Sequence, residues 1–361
     1  MRVGFDARAL VSPAAGVRRY ARELFAAMAK LDGVDVVAAG TSARADLPAG
    51  VTAAAASASL PTNLGWMISG LPRAARSARL DVFHAPSYTA PFAGPRPLVL
   101  TIHDISYERH PEWYPYRRDP VRRAFYRWSA RTADRIITDS QFSKQEIVAG
   151  YSLDPECISV VPLAAGVAFT PADSLPAMSS PYVLHVGDLH PRRNLAVAVR
   201  ALKRVRARRT DLRGLRLVLA GVDRGSGAAL VQNSSPEDSQ MIELAGKISD
   251  DALVQLYRGA SGLVYPSLYE GFGLPLLEAM ACGTPVIASR ASSIPEVTGD
   301  AAVLLDPNDD AGWAEAIESL FDPEVARPLS AAGLRRADTF TWNRAAAATV
   351  DVYRQALSAR R

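Results

Sequence analysis

The chain has 361 residues, with 48% hydrophobic and 22% charged side chains; this balance excludes intrinsic disorder, and at roughly 150 residues per domain it points to about two domains. Two cysteines, Cys157 and Cys282, exclude a disulfide framework and any multi-cysteine metal site, and the five histidines show no metal-ligand spacing. The net charge of +4 sits in one place: Tyr107 to Arg135 holds eight arginines and four acids, and the remainder carries 33 of each sign. A pI near 9.1 therefore reflects one local patch, and nucleic acid is not expected as a partner.

In chain order, Arg2 to Asp6 reads as a first strand, followed by a helix from Gly16 to Ala29 with Val17, Tyr20, Leu24 and Ala27 at helical spacing. Val34 to Ala39, Asp81 to His84, Leu98 to His103, Arg135 to Thr138 and Ile158 to Val161 read as further strands. The alanine- and serine-rich stretch Ala45 to Ser59 reads as a surface connection. Phe169 to Pro181 has the proline and serine content of a linker. A second series follows it: Tyr182 to Val186, Leu215 to Ala220, Met241 to Leu244, Gly262 to Tyr265, Val286 to Ala288 and Ala302 to Leu305.

Short apolar runs alternating with amphipathic stretches predict α/β architecture, as two consecutive doubly wound domains with parallel sheets. The expected layout is residues 1–170, a linker at 171–181, and residues 182–344, with a closing helix at 345–361. Ligands of such sheets bind beyond the carboxyl ends of the strands, and a cleft between facing domains is the expected site. No apolar run approaches the roughly 18 residues that span a bilayer. Met1 to Asp6 lacks the apolar stretch of a secretion signal, so a cytoplasmic location is expected. The arginines of Tyr107 to Arg135 are interleaved with Trp113, Tyr114, Tyr116, Phe125, Tyr126 and Trp128. Such a patch suits either a solvated helix with its aromatics in the core or contact with an anionic membrane or acceptor at the inner face.

The most informative stretch runs from Pro266 to Met280, after a strand and into a helix: Tyr269-Glu270-Gly271-Phe272-Gly273-Leu274-Pro275 and then Glu278. Gly271 and Gly273 permit a tight turn, and Pro275 suits a first helical turn. The free N–H groups of Phe272, Gly273 and Leu274 would face an anion, with the helix dipole behind them. Glu270 lies in the loop and Glu278 about one turn into the helix, so the two approach a ligand from different directions.

This segment resembles the signature of the retaining glycosyltransferases of family four, the group 1 glycosyltransferases, from Glu270 to Ile287. The likeness extends to Tyr182–Gly187 with Pro191–Leu195, to Ser292–Val297, to Asp134–Lys144 and to Phe340–Trp342. Asp6-Ala7-Arg8 adds a likeness to bacterial polysaccharide mannosyltransferases. The resemblance implies the GT-B fold, two facing Rossmann-like domains, with the final helix crossing back onto the first. It implies a nucleotide-diphosphate sugar as co-substrate, with no separate cofactor and no metal, and transfer of a hexose, mannose from GDP-mannose or else a sugar from a UDP donor, to a glycan or lipid-linked acceptor in polysaccharide assembly.

Carried over residue by residue, the resemblance gives Glu278 the ribose hydroxyls, Glu270 the donor-sugar hydroxyls, and the backbone of Phe272, Gly273 and Leu274 the sugar and distal phosphate. Arg193, where lysine is more usual, and Arg192 grip the diphosphate. Gly16 lies against the phosphates, and Lys247 and Ile248 hold the base through backbone groups. His103 meets the donor sugar near the reacting carbon. Asp104 orients His103 or reaches the acceptor, with Arg117 and Arg118 also on the acceptor side. Asp188 stands where many relatives place an arginine. The implied route is front-face displacement with retention, the leaving phosphate taking the acceptor's proton and domain closure about Phe169–Pro181 excluding water. A non-catalytic nucleotide-sugar-binding homologue predicts losses in the site loops, yet His103, Arg193, Glu270 and Glu278 are all present. Ala14-Ala15-Gly16-Val17 is not the glycine fingerprint of a dehydrogenase, and a sugar-nucleotide epimerase is not expected to carry the glutamate pair.

Overall fold

The computed structural model describes residues 1–40, 46–54, 66–114, 119–172 and 181–359. The chain divides into two compact units, Met1–Leu163 with Thr341–Arg361, and Ala164–Phe340. The first break falls ahead of the expected linker, and Phe169 is buried with its ring edge-on to Tyr257. Residues 173–180 lie outside the described residues.

In the first unit, β1 (Arg2–Asp6), helix α1 (Ala15–Met28), β2 (Asp35–Ala39), β3 (Thr52–Ala53), β4 (Val82–Ala85), β5 (Leu98–Thr101), helix α2 (Pro120–Thr132), β6 (Arg135–Thr138) and β7 (Ile158–Val160) follow in chain order. The seven strands form one parallel sheet in the order β3-β2-β1-β4-β5-β6-β7. β4 and β5 are buried at every position, which is why they read as short apolar runs without alternation. The two-residue β3 corrects the reading of Ala45 to Ser59 as pure connection: Thr52 pairs with Val37 at the sheet edge, where a strand this short and exposed leaves no periodic signal. α1 buries Tyr20, Ala21, Leu24, Phe25 and Met28 along one face.

In the second unit come β8 (Tyr182–Val186), α3 (Leu195–Arg208), β9 (Arg216–Ala220), β10 (Ile242–Gly246), α4 (Asp250–Gly259), β11 (Gly262–Tyr265), α5 (Leu274–Ala281), β12 (Val286–Ser289) and β13 (Val303–Leu305). Its six strands are again all parallel, in the order β10-β9-β8-β11-β12-β13. Trp313 is fully buried in its core and donates its indole N–H to the Asp306 carbonyl at 2.9 Å. The last helix, α6 (Trp342–Ser358), is capped by Thr341 and packs on α1 of the first unit.

In each sheet the strand order reverses once, between β1 and β4 and between β8 and β11. Parallel strands on either side of such a point send their following loops apart and leave a crevice at the carboxyl edge. The chemistry-bearing residues gather at these two edges.

Candidate active site

At the second reversal point, β8 is followed by Gly187 with φ +135°, and a Cβ there would lie 2.8 Å from the Arg193 guanidinium. Glycine is thus needed both for its backbone and for room. Pro191–Arg193 forms a turn that folds Arg193 back beneath the sheet edge, where it is only 6% exposed. Its Nη1 donates to the Tyr265 hydroxyl at 2.6 Å and to Ser267 Oγ at 3.4 Å, and it forms an ion pair with Glu270. Its Nε, buried, has no hydrogen-bond partner among the described residues. Arg192 Nη2 stands 3.8 Å from Glu270 Oε2. Burial pulls the Arg193 pKa below its ordinary value, yet an arginine remains charged.

Glu270 is buried and its loop is fixed from both sides. Ser292 Oγ accepts its backbone N–H at 2.9 Å, and the Ser293 hydroxyl donates to the carbonyls of Glu270 and Phe272. Gly273, at φ +105°, turns the chain into α5, which begins with no side-chain cap. Pro275 sits in the first turn, so the N–H it lacks is one the helix could not use. One turn on, Glu278 is buried and accepts from the Tyr257 hydroxyl of α4 at 2.9 Å. The loop thus presents N–H groups, a helix N-terminus, two carboxylates and a buried guanidinium at one sheet edge.

Beneath Arg193 lies His185, fully buried and stacked on Tyr265. Its Nδ1 faces the Val264 carbonyl at 3.1 Å, so Nδ1 carries the proton. Burial and the nearby Arg193 push it down to about 3, so it stays neutral. Asp188 pairs with Arg224 at 3.0 Å, on the exposed loop after β9. Asp188 is therefore acidic but neutralised by a guanidinium from the next loop. Gly246, at φ +65°, ends β10; Lys247 beyond it is exposed, Ile248 is half-buried, and Ser249 caps α4.

In the first unit, Gly16 lies in the first turn of α1, which also begins with no side-chain cap. His103 follows β5, and its Nδ1 is 2.8 Å from Asp139 Oδ2 while its Nε2 is 3.3 Å from the Pro86 carbonyl. The Tyr20 ring stands edge-on to it at 4.8 Å. Asp104 Oδ1 accepts from the Ser106 N–H and hydroxyl, tying down the turn that follows. Behind them runs a buried chain: Tyr353 of α6 to His84 Nδ1 at 2.6 Å, His84 Nε2 to Thr101 Oγ1 at 2.7 Å, and Thr101 to the Tyr20 hydroxyl at 2.8 Å. Beside Pro86, a cavity of about 490 Å³ opens at the carboxyl ends of β1 and β4, lined by Asp6, Arg8, Ser12, Ser87 and Thr89 among others.

Four arginines of the basic segment are paired with carboxylates. Arg109 forks onto Glu146, Arg123 and Arg127 converge on Glu108, and Arg122 reaches Asp119. Phe92, Phe125 and Trp128 stack on one another, with Phe92 45% exposed. Arg117 and Arg118 lie outside the described residues. Among the described residues no helix is long and apolar enough to cross a membrane, and no cluster of three or more His, Cys, Asp or Glu side chains could hold a metal ion.

Sequence reasoning missed Asp139, Arg224, Tyr257 and Tyr265. Asp139 alone left a signal: it directly follows a strand predicted to lie in the same sheet as the one leading to His103.

Residues 14–165 match the family Glycosyltransferase Family 4, and residues 180–322 match Glycosyl transferases group 1. The chain is 34% identical over 286 residues to O-antigen chain mannosyltransferase B of Escherichia coli, spanning 76% of this chain and 74% of that protein. It is 33% identical over 277 residues to the MMP alpha-(1->4)-mannosyltransferase of Mycolicibacterium hassiacum, spanning 73% of this chain and 66% of that protein. Among solved structures, the GT-B glycosyltransferase WaaG, involved in lipopolysaccharide biosynthesis, superposes with a TM-score of 0.73 at 17% identity, covering 97% of this chain and 99% of that one. With both halves matched, and the signature from Glu270 to Glu278 placed at the reversal point of its second sheet, the chain belongs to glycosyltransferase family 4, the group 1 glycosyltransferases.

Proposed function

We propose that this glycosyltransferase moves mannose from GDP-mannose, with retention, to a glycan or lipid-linked glycan acceptor in polysaccharide assembly. The observation that carries the reading is Arg193: a buried guanidinium with an unpartnered Nε, held beside Glu270 and the open N-terminus of α5. A buried cation next to free helical N–H groups suits a diphosphate, which needs several donors and positive charge as it departs. The choice of mannose rests on the names of the two relatives above.

In this scheme Arg193 and Arg192 hold the diphosphate, and the N–H groups of Phe272, Gly273 and Leu274 hold the distal phosphate and sugar. Glu270 accepts sugar hydroxyls and Glu278 the ribose hydroxyls, each carboxylate having lone pairs beyond those already used. Gly246, Lys247 and Ile248 offer backbone groups to the base. The uncapped first turn of α1 at Gly16 offers N–H groups to the phosphates. His103 hydrogen-bonds the glycosyl group near the anomeric carbon. The cavity lined by Asp6, Arg8, Ser12, Ser87 and Thr89 suits acceptor hydroxyls, and the scheme gives Asp104, Arg117 and Arg118 to the acceptor as well. The aromatic stack of exposed Phe92 on half-buried Phe125 and Trp128 supports peripheral contact with a membrane that carries the acceptor. The acceptor attacks the face the diphosphate leaves, and the departing phosphate takes its proton. The guanidinium and helix terminus supply the charge that a metal would otherwise supply, so the scheme uses neither metal nor cofactor.

The test is calorimetry with GDP-mannose, UDP-glucose, UDP-N-acetylglucosamine and ADP-glucose, followed by product analysis by NMR. GDP-mannose should bind, E278Q should weaken it about tenfold through loss of a charge-assisted hydrogen bond, and the product should retain the α configuration. Binding of a UDP-sugar alone would replace the donor; an inverted product would end the proposed mechanism.

A further inference from the structure

The edge of the first sheet brings two ionisable side chains face to face. β5 and β6 run in parallel register, with Thr101 opposite Ile137. Two residues further along each chain stand His103 and Asp139, their side chains 13% and 3% exposed. His103 Nδ1 lies 2.8 Å from Asp139 Oδ2, and Nε2 lies 3.3 Å from the Pro86 carbonyl. Both neighbours are acceptors. A carbonyl oxygen donates nothing, so the contact on Nε2 is attractive only if Nε2 carries a proton. The contact on Nδ1 is strongest when Nδ1 carries one too and Asp139 is a carboxylate.

Asp139 has a need of its own. Its second oxygen, Oδ1, is buried and finds no donor among the described residues. A carboxylate buried with a single hydrogen bond is costly unless a cation faces it. The charged groups it senses are His103 and Asp104. Asp104 is of the same sign, which leaves His103 to supply the countercharge. The other groups around His103 are the Tyr20 ring from α1, the Tyr88 ring after β4, and His84 on β4. His84 is pushed down to about 3 by burial and by His103, so it adds no charge.

We propose that Asp139 is a positioning residue that keeps His103 as an imidazolium, so that Nε2 presents a charge-assisted N–H to an oxygen of the bound glycosyl donor. This rests on the reading of His103 as a donor-binding residue. The Pro86 carbonyl holds that proton, by a long hydrogen bond, until a substrate oxygen shares it. Burial, the largest single influence, pulls the His103 pKa down, but the Asp139 carboxylate, joined by Asp104 and the Pro86 carbonyl, turns the net shift upward. The charged state is therefore complete below the ordinary histidine range and is lost as pH rises through the folded value.

The test is a pH titration of the full-length protein labelled with 15N histidine, with His103 assigned by its absence in H103Q. In the wild type both ring nitrogens should be protonated near neutral pH. In D139N, which keeps shape but removes charge, the midpoint should fall by about 1–2 units, and the alkaline limb of kcat should fall with it. A merely structural Asp139 would lower thermal stability without moving either titration. A neutral His103 near neutral pH in the wild type overturns the proposal, and that measurement needs no variant. An unmoved midpoint in folded D139N overturns it as well. If the wild type moves no sugar and the midpoint still shifts, the imidazolium stands and the transferase reading is what fails.

Discussion

Removing the Glu270 carboxylate should cost far more stability than removing the whole Arg193–Glu270 pair. The two side chains are 8% and 6% exposed. In E270A the guanidinium stays buried and keeps only Tyr265 and Ser267 as neutral acceptors. Breaking a buried ion pair from one side costs about 3–5 kcal/mol, whereas replacing both partners by apolar side chains of similar volume is often near neutral. For a unit the size of Ala164–Phe340, that single loss corresponds to a melting shift of roughly 10 °C. R193M should cost less than E270A, because Arg192 remains 3.8 Å from Glu270 and can turn toward it. R193M/E270L should recover most of the loss, giving a coupling energy of about 2–3 kcal/mol in the double-mutant cycle. The assay is urea unfolding followed by circular dichroism at matched pH. Additive single effects, or an E270A loss under about 1 kcal/mol, would refute the claim that these two buried charges are strongly coupled. The double variant should be folded and unable to bind donor, which separates the pair's structural role from its proposed one.

Acidification should destabilise both units through histidines held neutral. His84 and His185 sit near 3 in the folded protein against an ordinary value of 6.5, so the unfolded chain binds protons first as pH falls. Stability should drop below pH 6.5 by about 1.4 kcal/mol per pH unit for each residue, and H185Q should flatten the slope measured by melting between neutral and mildly acidic pH. Gly221 has φ +153°, and a Cβ there would fall 2.0 Å from the Gly187 carbonyl oxygen, so G221A should displace the Gly187 turn and with it Arg193. Calorimetry should then find donor affinity lost before most of the fold is. Because Arg122 and Arg123 are paired with Asp119 and Glu108, R122Q/R123Q should change sedimentation with anionic vesicles little, whereas F92S/W128S should reduce it. The reverse pattern would return the contact to electrostatics.

The sheets were legible because parallel strands covered on both faces are apolar without interruption. β1, β6, β8 and β11 match their expected bounds, and the remaining predicted strands shift by one or two residues at their ends. β3 was not legible, because two exposed edge residues carry no period. The signature loop was legible because its demands are local: Gly273 must adopt a positive φ, Pro275 must stand in a first turn, and Glu278 must follow one turn later. The partners that give those residues their charge and position are not local. Glu278 meets Tyr257 from the preceding helix, Arg193 meets Tyr265 across 72 positions, and His84 meets Tyr353 across 269.

The basic patch follows the same logic. Counting charges along Tyr107 to Arg135 finds an excess of arginine, but the fold brings Glu146 from outside that window onto Arg109 and draws two arginines onto Glu108. Arg122, Arg127 and Arg131 stay exposed there, while Phe125, Tyr126 and Trp128 are half-buried. Asp139 is the instructive case, since both strands that place it were predicted. The missing step was register: once β5 and β6 are neighbours with Thr101 opposite Ile137, two more residues on each chain must bring His103 and Asp139 together. In a parallel sheet, residues just past the carboxyl ends of adjacent strands are neighbours by construction. A histidine there should be read with the residue just past the end of the next strand, before any residue adjacent to it in sequence. By that rule Asp104, the sequence neighbour, is committed to its own turn, and Asp139, 36 positions away, is the group that sets the charge on His103.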